Sequence, residues 1–205
     1  IIQGAASQTA DLTQWQNSAG TTLASMGMST NNERATLMVS GTIVSNVADA
    51  SRVGVVSIGS GAYTSADYGV AIGRLAKAAN ASSVAIGPNA SAGGGSYASV
   101  AIGDYASALV ENGVAIGRNA GFTTMGEAAI CIGSAANATA HGVSIGESTN
   151  CAGGQSVAIG VSASATSASC VAIGHGATAN GQYSIALGRF ADAPASGFVV
   201  QADGQ

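Results

Sequence analysis

Apolar and small residues recur along this chain in one short phrase, Val-Ala-Ile-Gly, first clear at Val70-Ala71-Ile72-Gly73. With small substitutions the phrase returns from Val56 to Gly188. Its closing glycines stand at Gly59, Gly73, Gly87, Gly103, Gly117, Gly133, Gly146, Gly160, Gly174 and Gly188, separated by 14, 14, 16, 14, 16, 13, 14, 14 and 14 residues. Ten copies of one unit thus occupy most of the chain, which is the mark of a stacked repeat rather than of a single large core.

Within a unit, Val and Ile are two apart and share one face of a strand. Gly follows and permits a sharp turn. Three and five residues beyond it lies a second pair on one strand face, Ala62 and Thr64 in the first unit, Ala76 and Ala78 in the next, Ala191 and Ala193 in the last. In the fifth unit the fifth-position residue is Phe122. The spacing predicts two short strands per coil, Val and Ile inward on one and Ala inward on the other, large against small. Equivalent strands of successive coils then pair as parallel ladders. Ten coils at ~4.8 Å each give a rod about 45–50 Å long. The extra residues of the 16-residue units, such as Gly93-Gly94-Gly95, are expected in turns that leave both strands in register.

Between Val and Ile every unit carries a small residue: Ser57, Ala71, Ala85, Ala101, Ala115, Cys131, Ser144, Ala158, Ala172 and Ala186. Read as an outward ladder, free of charge and bulk, it suits close packing against another chain. Ala101→Glu is then expected to break assembly. The outward slots of the second strand, among them Tyr63, Lys77, Ser91, Asn137, Asn150 and Asp192, read as solvated. Charges cluster in the turn after Gly, at Arg74, Asp104, Arg118, Glu147 and Arg189.

The flanks differ. Residues 1–54 read as a β-rich N-terminal adaptor or cap, 55–193 as the repeats, and 194–205 as a C-terminal strand or linker. Leu12–Gln16 and Thr21–Met26 predict a hairpin around the turn Asn17-Ser18-Ala19-Gly20, anchored by Trp15. Thr36–Val39 and Thr42–Val44 predict further strands after a polar loop at Asn31–Arg34. Phe198–Gln201 reads as a strand, without heptads. The opening on Ile1 rather than Met suggests a fragment or a processed form.

Composition sharpens this picture. Charged residues are 8% and aromatics 4%, with 30 Gly. So few large side chains favour a thin core repeated layer by layer. The net charge is −4 with no basic run, which excludes a nucleic-acid partner. Gly, Ser and Asn interrupt every apolar run before the ~18–20 residues of a spanning helix, so no membrane insertion is expected. Cys131, Cys151 and Cys170 sit in slots that other units fill with small residues, and read as buried hydrophobes. Their spacing matches no zinc signature.

Catalytic chemistry has no candidate. His141 and His175 fall at different edges of the coil, eight and one residues after their repeat Gly. No Ser stands in a Gly-x-Ser-x-Gly elbow. Gly59-Ser60-Gly61 lacks the Lys and helix of a phosphate loop, and Asp and Glu are scattered singly. The glycosylation triplets Asn80-Ala81-Ser82, Asn89-Ala90-Ser91 and Asn137-Ala138-Thr139 are what chance yields in a chain so rich in Asn, Ala and Ser. No catalytic, cofactor-binding or metal site is expected, and no enzyme. Tyr63, Tyr68, Tyr97, Tyr105 and Phe122 are candidate exposed contacts for a ligand on a shallow surface.

The Ser-Val-Ala-Ile-Gly phrase (Ser83–Gly87, Ser99–Gly103, Ser156–Gly160), followed by paired alanines at a period near 14, resembles the YadA-type head of trimeric autotransporter adhesins. That resemblance implies an all-β, left-handed parallel β-roll of about ten repeats assembled as a homotrimer. The segment Leu12–Thr21 is similar to one common in bacteriophage tail-fibre proteins. Together they imply a structural and attachment segment of a trimeric tail fibre in a virion, binding a host cell-surface receptor. The alternative is the head of a bacterial autotransporter adhesin at the cell surface.

Overall fold

The computed structural model describes three strands near the N-terminus and residues 54–94, 98–123 and 125–201. The strands Thr13–Gln16, Thr22–Met28 and Ala35–Val39 form an antiparallel three-stranded sheet. Trp15 stands opposite Ala24 across the hairpin, and the register shifts between Trp15 and Gln16. The expected loop Asn31–Arg34 and strand Thr42–Val44 lie outside the described residues.

From Val56 onward the chain is a parallel β-solenoid. The phrase strands, from Val56–Ile58 to Ile185–Leu187, stack in chain order as one parallel sheet. Phe198–Val200 adds an eleventh strand at its end, pairing Ile185 with Phe198 and Leu187 with Val200. The register is in step throughout, the first branched residue of each phrase on the first of the next and the last on the last, as Val84 on Val100 and Ile86 on Ile102. Two-residue second strands, such as Lys77–Ala78, form a four-stranded and a five-stranded sheet on the other side of the coil. Outside the turn closures, backbone N–H groups reach the neighbouring coil, as in Gly73 N to Ile58 O at 2.8 Å and Tyr63 N to Ala76 O at 2.8 Å. Polar backbone in a two-layer structure this thin is satisfied only by its neighbours in the stack.

The interior corrects the reading of the first strand. It is the residue between Val and Ile that is buried: Ala71, Ala85, Ala101, Ala115, Cys131, Ala158, Ala172 and Ala186 are all 0% exposed. Val and Ile point outward. From the second coil on, the residue before the phrase (Gly69, Ser83, Ser99, Gly113, Ala129, Gly142, Ser156, Cys170, Ser184) is buried too, so a typical coil turns four small residues inward. The largest fully buried side chains among the described residues are Thr64, Thr149 and the three cysteines. The cause is geometric. Two turns close a loop of about 14 residues so tightly that the facing sheets leave room for little more than a methyl group from each side, and a branched side chain does not fit. The second strand follows expectation: the third- and fifth-position residues are buried, from Ala62 and Thr64 to Ala191 and Ala193, with one exception described below.

Both turns of a coil place a residue in the left-handed region. Leu75 (φ 57°) sits in the turn closed by Ala76 N to Gly73 O, and Ser82 (φ 57°) in that closed by Ser83 N to Asn80 O. Non-glycine residues occupy most of these positions, although each such conformation is costly. Stacking offsets that cost, because the strained residues' own N–H groups bond to the adjacent coil, as Leu75 N does to Ser60 O at 2.9 Å.

The repeat glycine is constrained twice. Gly103 has φ +134°, and a Cβ built on it would lie 2.5 Å from the carbonyl oxygen of Gly117 in the next coil. Gly103→Ala therefore forces two coils apart along a ladder that cannot give. We expect a loss of at least ~2 kcal/mol, read as a fall in thermal midpoint of about 4–8 °C for a chain of this size.

The two longer units differ in where they store their extra residues. In the unit after Gly87 they lie in the second turn, and Ser91–Ala92 stays in register with Ser107–Ala108, as expected. In the unit after Gly117 they interrupt the second strand itself. Gly121 N bonds to Ala136 O and Gly126 N to Ala138 O, so Gly121 and Met125 hold adjacent strand positions, and Phe122 and Thr123 bulge out of the ladder after Gly121. Met125 packs against the core while Phe122, which the five-residue count places inside but which is also a candidate exposed contact, is 58% exposed. This bulge divides the second sheet in two.

Candidate assembly and attachment surfaces

The outward side of the eleven-stranded sheet is the most distinctive surface of the chain. Each strand contributes two outward residues, and every one is Val, Ile, Leu or Phe. Stacking lets neighbours cover one another's flanks, so most are half-buried, yet Val56 is 38%, Ile58 39% and Ile173 39% exposed. The resulting strip is about 50 Å long. β-branched residues stacked in register keep it flat and stiff. A continuous apolar strip of that length exceeds what a soluble monomer ordinarily leaves open to water. The ladder of small residues expected to meet a neighbouring chain is instead sealed inside the coil, and the branched residues take that outer place.

The opposite face is polar. Lys77, Asn150 and Asp192 are exposed on the second strands, and Tyr63, Ser91 and Asn137 are half-buried. Arg74, Asp104, Arg118, Glu147 and Arg189 are exposed in the first turns, as their spacing predicted.

The candidate aromatic contacts do not form one site. Tyr68 is exposed in a second turn, and Tyr105 (46% exposed) in a first turn. Tyr97 lies outside the described residues. Tyr105 and Phe122 come together edge to face, ring centroids 6.4 Å apart and planes at 88°. The sequence reading missed Tyr183 and Phe190, both exposed. Phe190 packs against His175 at 5.1 Å and lies 4.7 Å beneath the Arg189 guanidinium. Its position two residues after a repeat glycine, equivalent to Tyr105, was the available signal. His141 lies in a second turn and His175 in a first.

The three thiols are free and buried. Cys151 Sγ donates to Ser156 O at 3.0 Å, and Cys170 Sγ to Ser167 O at 2.8 Å. Burial pushes the Cys131 thiol from an ordinary 9.0 up to about 11, and burial raises Cys151 as well. Thiolate is the reactive form, so burial shields all three sterically, and the raised pKa shields Cys131 and Cys151 further. All three are expected to resist a thiol-specific reagent at pH 8 in the folded chain and to react fully in denaturant. A folded thiol pKa above the unfolded one contributes stability that is complete below the unfolded value. It is lost as pH rises through the folded value. For Cys131 that window is pH 9 to 11.

No group of three or more His, Cys, Asp or Glu among the described residues is placed to hold a metal ion. No helix among them is long and apolar enough to cross a membrane, which says nothing of a β-barrel.

A family model, the YadA head domain repeat (2 copies), matches residues 56–76, 67–90, 96–120 and 171–191. Each matched stretch contains at least one outward Val/Ile strand and the buried alanines that follow it. The chain thus carries YadA-head-type repeats within its solenoid. No curated protein matches the chain.

Proposed function

We propose that this chain is a non-enzymatic attachment segment of a surface fibre, assembled as a homotrimer with the three Val/Ile strips turned toward a shared axis. The strip itself carries this reading. An apolar sheet face this long needs a cover, and identical chains offer identical strips in register with no further design. The match to the YadA head repeat supports an adhesin-type role at an exposed surface and three as the number of chains. The polar second-strand sheets then face solvent, where a host-cell receptor would be met. Such a rod needs no cofactor, and its partners are two copies of itself and that receptor.

The resemblance of Leu12–Thr21 to tail-fibre segments favours a virion fibre as the setting. The repeat match equally suits the head of a bacterial trimeric autotransporter at the cell surface. Neighbouring reading frames separate the two: tail genes support the first, while an upstream signal peptide with a downstream β-barrel anchor supports the second. Sedimentation equilibrium tests the assembly directly. The expected mass is three times the 19.6 kDa chain, and a stable monomer at micromolar concentration would refute the trimer.

A further inference from the structure

The bulge at Phe122 and Thr123 is the one place among the described residues where the second sheet is broken, and hydrogen bonds hold both residues. Met125 restores the ladder beside Ala138 and fills space left by two glycines: a Cβ on Gly121 would come within 2.9 Å of its Sδ, and one on Gly113 within 2.9 Å of its Cε. On the bulge, Phe122 N donates to Asn119 O at 3.3 Å. Thr123 donates from Oγ1 to Asn137 Oδ1 at 2.7 Å and from its backbone N to the same oxygen at 3.3 Å. Asn137 Nδ2 in turn donates to Ala135 O at 2.9 Å. The insertion therefore presents Phe122 in one orientation, braced edge-on by Tyr105 from the preceding coil.

We propose that this bulge is a carbohydrate-binding platform for an uncharged sugar, with the exposed Phe122 ring as the stacking face, Tyr105 bracing it at right angles, and Thr123 and Asn137 as its polar rim. The proposal deepens the attachment reading by naming a site and a ligand class. Three alternatives fit less well. A phosphate- or sulfate-bearing ligand would call for clustered Lys and Arg, whereas the first turns of these two coils carry Asp104 and Arg118, one charge of each sign. A peptide adding as a strand needs a free sheet edge, but Gly121 and Gly126 already occupy the neighbouring carbonyls of Ala136 and Ala138. A compact apolar ligand needs a concave pocket, and both rings stand proud of the surface. What remains is a polyhydroxylated ligand that lays one C–H face on the Phe122 ring while its hydroxyls donate to Thr123 Oγ1 and accept the remaining Nδ2 hydrogen of Asn137. Rigid aromatic anchors beside adaptable polar groups give such a contact at low entropic cost.

The test presents immobilised oligosaccharides of glucose, galactose and N-acetylglucosamine, with sulfated counterparts, to the wild-type chain, Phe122→Ala and Tyr183→Ala. Binding to at least one uncharged sugar is expected, weakened at least tenfold by Phe122→Ala and unchanged by Tyr183→Ala, an exposed ring outside the bulge. Unchanged mass and circular dichroism of Phe122→Ala confirm that the comparison is between folded proteins. Failure of the wild type to bind any uncharged sugar, preference for the sulfated forms, or equal binding by Phe122→Ala would overturn the site. The same proteins on bacterial and animal cells separate the two claims. Cell binding that survives Phe122→Ala removes the platform and leaves the attachment reading. Sugar binding without cell binding removes the attachment reading and leaves the platform.

Discussion

Ile102→Glu yields a folded monomer. Ile102 lies on the outward side of the long sheet, between Ile86 and Ile116. Its side chain takes no part in the coil interior, where its neighbour Ala101 is fully buried. The backbone ladder, the turns and the four inward side chains of its coil are untouched by the change. In the proposed trimer, however, three carboxylates are brought to a dry axis with no cation on the same face to receive them. Desolvating each ionised group costs several kcal/mol, and every 1.4 kcal/mol is a tenfold change in an equilibrium constant. Weakening of association by a factor of at least ~10³ is therefore expected. Sedimentation should show a single species at the 19.6 kDa chain mass, with the β-sheet circular dichroism retained. Lys77→Glu, on the polar face, is the control and should leave the trimer intact. An Ile102→Glu protein that still sediments as a trimer means the chains associate through some other surface.

Ala101→Glu, one residue away, fails in a different manner. Ala101 is 0% exposed and stacks on Ala85 and Ala115 in the adjacent coils. A Glu there adds four heavy atoms to a slot that elsewhere accepts at most Cys131 or Ser144. It also buries a carboxyl with no partner. Overpacking costs about 1–3 kcal/mol, and an unpaired buried charge costs more. The sum approaches the whole stability of an ordinary domain, roughly 5–15 kcal/mol. The expected result is loss of β-sheet signal and insoluble protein. Ala101→Ser should still fold, since Ser144 fits the equivalent slot, but with a loss of about 1–3 kcal/mol, because the Thr149 hydroxyl that pairs with Ser144 at 2.7 Å is replaced by Ala106 in this coil. A soluble, fully folded Ala101→Glu would place that side chain outside the coil and reverse the assignment of the two faces.

This pair of variants isolates what was legible in the sequence. The repeat itself, the two strands per coil, the inward alanines of the second strand and the charged first turns all followed from the spacing of Val70-Ala71-Ile72-Gly73 and its copies. The N-terminal hairpin followed from the turn residues Asn17–Gly20. The parity of the first strand did not, because branched apolar residues were taken to seek the interior. That rule assumes an interior with room for them. The contrary signal lay one residue outside the phrase: from the second coil on, the position before it is Gly, Ser, Ala or Cys, and with the middle residue it forms two small columns on one face. Three consecutive residues such as Ser83-Val84-Ala85 then read small, large, small, and only the small ones suit a coil closed by two tight turns.

Phe122 was misplaced for a related reason. Counting five residues from Gly117 put it inside, although no other fifth-position residue is larger than Thr or Cys. The misfit was visible, but the identity of the residue that takes the slot was not. Met125 claims it through the ladder bond of Gly126 to Ala138, a fact of register rather than of composition. The strand Phe198–Val200 was legible as a strand, but not as the eleventh of the sheet. It closes on Gln201 rather than Gly, and Gln201 N completes the ladder by bonding to Leu187 O at 2.8 Å.

The hydrogen bonds between coils, set by parallel stacking in register, all point along the rod. A pull between its two ends therefore meets them end-on rather than in shear, and a lone chain would come apart from one end, coil after coil. Each coil released converts a rise of ~4.8 Å into about 45 Å of extended chain. Such a rod lengthens by uniform increments under tension instead of snapping. Binding three of them along a common apolar seam makes the three end coils yield together, so the load needed for each increment rises while the increment itself stays the same.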